Sequence, residues 1–338
     1  MKEDLGKYIG IIDNFPRVNV AVIGDIVADV YMYGRPFKLS REAPVIVVKY
    51  EGETIVPGSA GNTINNLSRL EAKVFPIGIV GEDKEGNFLR EYFSKDGVDI
   101  TGVLVSKERG TISKTRLLAG DTHASKRQVV RIDKDASWKM PDSVEKNILD
   151  HVDRVNKKVD VWIISDYGYD VITPRVLDRI KGIAREKTVV ADSRSRICDF
   201  VGATVIVPNE SEAEAASGMR INGEADVLRA GKELLKKMGP EAVIITRGNR
   251  GMVLFEKTGN VEQIPICGPD EVTDVTGAGD TVTVLLALAM SAGANLAQAA
   301  RLSNYAAGVV VMKNGTATVS RSELVEIITK DLGGKPGG

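Results

Sequence analysis

Cysteine and histidine are nearly missing from this 338-residue chain, which has two of each. Cys198 and Cys267 form no CxxC pair and nothing in the chain depends on a disulfide, so two free thiols fit a reducing compartment. His123 and His151 are too few for a three-histidine zinc site or any histidine-rich metal cluster. An excess of charge is missing too. Lys+Arg is 45 and Asp+Glu is 46, a net charge of -1, which gives no bulk attraction to nucleic acid or anionic membrane. No apolar run is long enough to span a bilayer; the longest, at 282–290, falls well short of the ~20 residues needed. The opening Met1-Lys2-Glu3-Asp4 lacks the apolar core of a signal peptide. A cytoplasmic location is therefore expected, and the sequons at Asn66, Asn209 and Asn314 are read as chance. GxxxxGK[ST] and GxGxxG are both absent, which disfavours a P-loop NTPase and a GxGxxG dehydrogenase.

What the chain does have is a rhythm. Residues 18–23 (VNVAVI) are a short β-branched run ending in Gly24-Asp25, as expected of a strand buried on both faces of a parallel sheet. Similar runs recur at 74–80, 160–164, 188–191, 204–207 and 242–246. Helical periodicity fills the gaps at 62–70, 84–95, 143–156, 174–185 and 225–238. Thr173-Pro174 reads as an N-cap followed by a first-turn proline. Strands alternating with helices predict a layered α/β fold. Two β-like stretches near 30–50 and 111–132 have no helix between strands, and are expected to form a small antiparallel lid outside the main sheet. After strands near 252–255 and 261–266, residues 277–291, 297–312 and 320–330 read as helices. With 43% hydrophobic and 27% charged residues, an ordinary globular composition, the expectation is one domain over 1–332 and a flexible tail at 333–338.

Asp274-Val275-Thr276-Gly277-Ala278-Gly279-Asp280 is the run with most chemical content. It is a glycine-rich turn opening an apolar helix. The first N–H groups of a helix lack partners and sit at its positive end, and glycines let an anion approach them. A carboxylate beside a bound phosphate has one natural use, to take a proton from an attacking hydroxyl. The same residues would also serve as a plain turn, with Asp280 complementing the helix dipole.

This run resembles the C-terminal signature of the PfkB carbohydrate kinases, the ribokinase-like family. Other matches follow in that family's order: Gly24-Asp25, the turn Gly58-Ser59-Ala60-Gly61-Asn62, Asn209 to Glu212 as NxxE, Thr246-Arg247-Gly248 with Gly251 behind it, and Asn304 to Gly308. The resemblance covers about residues 15 to 330. It implies a ribokinase-like three-layer sandwich with a mainly parallel central sheet and a small β lid. Inside the family, the chain is most similar to the heptose 7-phosphate kinases of lipopolysaccharide-core synthesis. Tyr31-Met32-Tyr33-Gly34, Ser40 to Val45, Lys114-Thr115-Arg116, Gln128 to Asp133, Ser165-Asp166-Tyr167 and Val309 to Thr316 carry that likeness. Such kinases are often fused to a nucleotidyltransferase, but an HxGH motif cannot be made from His123 and His151, so the kinase half alone is expected. Two departures stand out. Gly58-Ser59 replaces the family's Gly-Gly. Asp192-Ser193-Arg194-Ser195 replaces Asp-Pro-Lys-Gly, and an arginine fork is not equivalent to a lysine ammonium.

The resemblance implies roles for particular residues. Asp280 would be the general base, and the N–H groups of Gly277, Ala278 and Gly279 the anion hole. Asn209, Glu212, Thr246, Arg247, Gly248, Gly251, Asn304 and Gly308 would hold the nucleotide. Asp25, Gly58, Asn62, Lys114, Arg116, Asp192 and Arg194 would bind the substrate. Several have a plainer alternative. Asp25 could merely cap a strand end, and Lys114, Arg116, Arg131 and Arg194 could be solvated charges unless they converge on a substrate phosphate. Asn209 and Glu212 have capping-box spacing, while the resemblance gives them Mg²⁺, held through waters. His123 reads as solvated, and both cysteines as inert. The implied activity is γ-phosphoryl transfer from Mg-ATP to a hydroxyl of a small sugar, with a heptose 7-phosphate as first candidate. Kinases of another sugar or a nucleoside, and a non-catalytic sugar or nucleotide sensor, are the alternatives. ATP and Mg²⁺ are the expected cofactors, with a monovalent cation as a further candidate, and a lid-to-lid homodimer is the expected assembly.

Overall fold

The computed structural model describes residues 2–120, 126–135, 138–267, 275–313 and 315–332. His123, Asp274, Asn314 and the tail 333–338 lie outside the described residues, as does part of the second lid stretch.

Helix α1 (Lys2–Asp13) precedes β1 (Asn19–Gly24). A long hairpin of β2 (Ile26–Leu39) and β3 (Ile46–Ser59) leads straight into α2 (Ala60–Arg69). Next come β4 (Lys73–Gly81), α3 (Lys84–Lys95), β5 (Val103–Ser106), β6 (Ile112–Ala119) and β7 (Arg127–Lys134). Strands and helices then alternate: α4 (Asp142–Asn156), β8 (Val161–Asp166), α5 (Pro174–Ile183), β9 (Thr188–Ser193) and β10 (Val205–Ile206). After α6 (Glu210–Ser217), α7 (Glu224–Met238) and β11 (Ala242–Thr246), the chain makes the hairpin β12 (Met252–Glu256) and β13 (Val261–Ile264). It ends in α8 (Ala278–Ser291), α9 (Leu296–Val310) and α10 (Arg321–Leu332).

The main sheet has nine strands in the order β13-β12-β11-β10-β9-β8-β1-β4-β5. All neighbours from β11 to β5 are parallel, and the pairings of β12 with β11 and with β13 are antiparallel, so β12 alone is reversed in this sheet among the described residues. Its strands are apolar on both faces because helices cover both. Along β1, Val20 and Val22 enter a core with α2 and α8, while Ala21 and Ile23 enter another with α4, α5 and α7. That is the two-residue alternation of a strand. The fold is thus a three-layer α/β sandwich. Helix α8 is buried at every position from Asp280 to Ala289, because α2, α9 and the strands β8 and β9 surround it.

The second sheet has the order β3-β2-β6-β7. Sequence alternation led to an expectation of antiparallel pairing, but β2 and β6 pair parallel, so the sheet is mixed. The cause lies in the main sheet. Strands β1 and β5 point the same way, and β2 and β6 continue from their ends. The sheet also reaches further inward than 30–50: the first residues of β2 and the last of β3 are buried. Neither α1 nor β5 was expected from the sequence. Tyr8, Ile11 and Ile12 nevertheless seat α1 in the core.

Candidate active site

Asp280 sits in the first turn of α8, 5% exposed. Asn62 Nδ2 donates to its Oδ2 at 2.8 Å, and the Tyr167 hydroxyl donates to its Oδ1 at 2.8 Å. Burial pushes the carboxyl up to about 6; the Asn62 and Tyr167 hydrogen bonds and Lys114 hold it down, and Asp29 adds to the rise. Asn62 is itself oriented by Asn66, whose Nδ2 donates to Asn62 Oδ1 at 3.1 Å. Gly277 caps the helix at φ 83, a left-handed conformation, and a Cβ there would lie 2.6 Å from Asn62 Nδ2. Only glycine satisfies both conditions without strain. Of the amides expected to meet an anion, Ala278 N–H is already donated to Val275 O at 3.3 Å.

A cavity of about 500 Å³ opens beside this helix start. Asn209, Glu212, Thr246, Gly248, Gly251, Ala278, Gly279, Asn304 and Gly308 all line it. So do Asp192 and Arg194, which were expected on the substrate side. Its lining combines the apolar side chains Val207, Met252, Ile266, Val282 and Val311 with the polar Tyr167, Asp192 and Glu212. Burial raises both acids, and for Asp192 the charges of Asp280 and Glu212 add to it. Asn304 Nδ2 donates to Pro265 O at 2.7 Å. Asn209 and Glu212 form both bonds of a capping box, each at 2.9 Å, and no three carboxylate, histidine or cysteine side chains are grouped to hold a metal directly among the described residues. Arg247 lies in the wall of an adjoining cleft with Asn209, Glu212, Thr246 and Gly248. Its guanidinium is tied to Glu210 at 2.7 Å and to Glu224 at 2.7 and 2.8 Å, and it does not line the cavity. The two acids, one on α6 and one on α7, balance the charge of the buried guanidinium.

The lid sheet overhangs the other side of Asp280. Its register sets Asp29, Lys114 and Asp133 in one row, and Tyr31, Arg116 and Arg131 in the next alternate row of the same face. Arg116 pairs with Asp29 at 2.5 Å and Arg131 with Asp133 at 2.5 Å. Lys114 is 7% exposed and makes no ion pair among the described residues; its Nζ lies 5.5 Å and 5.8 Å from the ring centroids of Tyr167 and Tyr169. Burial lowers its pKa, and Arg194 and Arg131 are close enough to lower it further. Lys114 thus feels the charges of Arg131 and Arg194, with Asp29 and Asp133 acting against them.

Asp25 is fully buried, and its oxygens accept backbone N–H bonds from Tyr167, Tyr169 and Val171 at 2.8, 3.1 and 3.4 Å. Its carboxylate is thus engaged by the chain's own backbone. Asp29 was missed in the sequence, yet it is the buried acid beside Gly58, where a Cβ would overlap Asp29 Oδ2. The available signal was a charge inside the apolar run Ile26 to Tyr31, since a buried charge needs a partner. Tyr167 appeared only within a resemblance motif, with no role attached. Ser59, in place of the family's second glycine, adopts φ 54. Both cysteines are free, and burial pushes the Cys267 thiol up to about 11.

Fold and site together define an α/β phosphotransferase for a small hydroxyl-bearing substrate. The chain belongs to the pfkB family of carbohydrate kinases, which matches residues 18–323. It is therefore a sugar kinase. Among curated proteins, it is 42% identical over 311 residues to bifunctional protein HldE of Geobacter sulfurreducens, covering 91% of this chain and 62% of that protein. It is 39% identical to the HldE protein of a Nitratiruptor species, covering 92% of this chain and 65% of that protein. The chain thus spans somewhat under two thirds of the length of these relatives. Solved structures share the fold: Arabidopsis thaliana ribokinase complexed with ribose and ATP has a TM-score of 0.73 at 20% identity, covering 92% of this chain and 98% of the other. Phosphofructokinase-2 of Escherichia coli in complex with potassium has a TM-score of 0.75 at 15% identity, covering 93% and 99%. No helix among the described residues is long and apolar enough to cross a membrane.

Proposed function

We propose that the chain moves the γ-phosphoryl of ATP to a hydroxyl of a small sugar phosphate, with a heptose 7-phosphate as the first acceptor to test. The observation that carries this reading is the position of Asp280. Its buried carboxylate stands where the nucleotide-sized cavity, walled by Ala278 and Gly279, meets the charged face of the lid with Asp29 and Lys114.

In this reading Asp280 accepts the proton of the hydroxyl as its oxygen attacks the γ-phosphorus. The bond to the β,γ-bridging oxygen breaks, and ADP leaves with that electron pair. The free amides at the start of α8 hold the charge that spreads over the transferred group. The nucleotide base lies against the apolar side chains of the cavity and the phosphates point toward Gly279. Asp29 takes the place first given to Asp25 as acceptor for sugar hydroxyls. Lys114, Arg194 and Arg131 supply the cations for a substrate phosphate. Mg²⁺, when bound through waters near Asn209 and Glu212, neutralises the nucleotide phosphates. A monovalent cation is a further candidate. The likeness to the HldE proteins and the ordered motifs support the substrate class, and only the kinase portion of such a bifunctional protein is proposed for this chain. We place the reaction in the cytoplasm.

The lid face opposite Asp29 and Lys114 carries Val130 and Ile132, exposed at 45% and 61%. Apolar exposure on a sheet with open edges supports a lid-to-lid homodimer, which light scattering at micromolar concentration tests. The activity is tested by ADP release with ATP and a panel: D-glycero-D-manno-heptose 7-phosphate, other sugar phosphates, free sugars and nucleosides. Turnover is expected to be highest with a phosphorylated sugar. Tight binding with no turnover on any acceptor would leave a sensor instead.

A further inference from the structure

Five residues after β8 are held with unusual care. In the 167–171 loop, Gly168 has φ 81 and Asp170 has φ 66. Alternating left-handed residues turn the N–H groups of 167, 169 and 171 to one side, making an anion-binding concavity. The anion is internal: the fully buried Asp25 carboxylate accepts all three. From the β5–β6 connection, Arg109 donates its Nη2 to Tyr169 O at 2.9 Å. Arg109 is 4% exposed, stacks at 5.1 Å from the Trp138 ring, and has no ion pair among the described residues. Two buried groups of opposite charge, one directly after β1 and one after the edge strand β5, thus grip one short loop. Burying charge without a direct salt bridge is costly, so the loop's geometry must matter elsewhere. Its outlet is Tyr167, whose hydroxyl donates to Asp280 Oδ1 at 2.8 Å.

We propose that Tyr167 is a positioning residue for the Asp280 carboxylate, and that Asp25 and Arg109 act through it by clamping the 167–171 loop. Asn62 holds Oδ2 and Tyr167 holds Oδ1, so two donors from separate elements fix the carboxylate plane and leave each oxygen a lone pair for the incoming proton. The groups facing Asp280 are Asn62 from α2, Tyr167 from the loop, Asp29 from β2 and Lys114 from β6; Asp192, near the end of β9, shares its field. Only Asn62, Tyr167 and Lys114 oppose the upward push of burial and of Asp29. Losing the Tyr167 hydroxyl moves the balance upward.

The proposal rests on Asp280 being the general base, and its test separates the two. In the full chain, the pH profile of kcat is recorded for Tyr167→Phe with saturating ATP and the best acceptor. A hydrogen bond to a charged group is strong enough to move the acid limb up by about one pH unit. The plateau is expected to fall roughly tenfold through looser positioning, with the KM for ATP unchanged. Asp280→Asn is measured alongside. If it retains turnover, the base assignment fails. If it loses turnover while Tyr167→Phe leaves the acid limb in place, or changes only the acceptor KM, the positioning role fails. Should Tyr167→Phe not fold, Arg109→Lys carries the same test, because it keeps the charge and loses the fork. An upward, smaller shift of the limb supports the clamp, and an unmoved limb overturns it.

Discussion

The nine-stranded sheet and the four-stranded sheet join at the ends of β1 and β5, but they use apolar residues in opposite ways. In the main sheet, β8 is buried at every position and β11 at all but its last. In the lid, β7 is exposed at every position, and Phe37, Leu39, Tyr50 and Ile132 are each more than half exposed. The body buries its apolar surface within one chain. The lid buries only its inner ends and leaves the rest uncovered. The body side of the site therefore sets the chemistry, through a few buried polar groups held at fixed distances. The lid holds the charged row of Asp29, Lys114 and Asp133 on one face and exposed apolar side chains on the other.

The largest expected effect sharpens the body side. Asp280→Asn should lower turnover by about 10²–10⁴-fold, while nucleotide affinity, measured by calorimetry, holds. The same change should raise thermal stability. Burial lifts the Asp280 pKa from its ordinary 3.8 to about 6, so the folded state binds the proton more tightly than the unfolded one. The ionised carboxylate then costs stability above about pH 6, and that cost disappears as pH falls toward the unfolded value. The advantage of Asp280→Asn should be full above pH 6 and shrink toward pH 4. A melting-temperature series in which the two proteins track in parallel would contradict the buried-charge account. For wild type, kcat should fall as pH drops through about 6, because a protonated carboxyl cannot accept the hydroxyl proton.

A smaller effect tests the lid. Val130→Asp with Ile132→Asp should convert the dimer to a monomer in light scattering and leave the melting transition of the body within ~0.5 kcal/mol, as surface changes usually do. A monomeric wild type, or a large loss of body stability in the double variant, would break the contrast drawn between the two sheets.

The smallest effect lies where the regions meet. Ser59 holds φ 54 and ψ -128 at the junction of β3 and α2. A side chain there is strained by about 1–3 kcal/mol, and glycine relieves the strain while costing ~0.5–1 kcal/mol of chain entropy. Ser59→Gly should stabilise the protein by ~1 kcal/mol in urea denaturation. A destabilisation would mean that the serine makes compensating contacts.

Much of this molecule follows from local pattern. The runs at 84–95 and 242–246 became α3 and β11 with the same bounds, because apolar periodicity is a property of neighbouring residues. The Asn209 to Glu212 spacing became a complete capping box for the same reason, and Gly277 took the left-handed conformation that a turn into α8 requires. The alternating strands and helices, read locally, were enough to expect a layered α/β fold. Tertiary structure decided the rest. The direction in which β6 pairs with β2 depends on where β1 and β5 leave the main sheet, which no strand sequence records. Arg247, itself buried, pairs with the half-buried Glu210 and the exposed Glu224, which the fold brings within its reach from α6 and α7. Asp25 and Asp29 are four residues apart in chemically similar runs, yet one holds a loop and the other faces the site, because only the folded chain brings the three N–H groups of the 167–171 loop to Asp25. Asp280 gains its meaning from Asn62, 218 positions away, and Tyr167, 113 positions away. Hydrogen bonds at such separations leave no period or spacing in the sequence; they exist only once the sheet has placed the ends of its strands side by side.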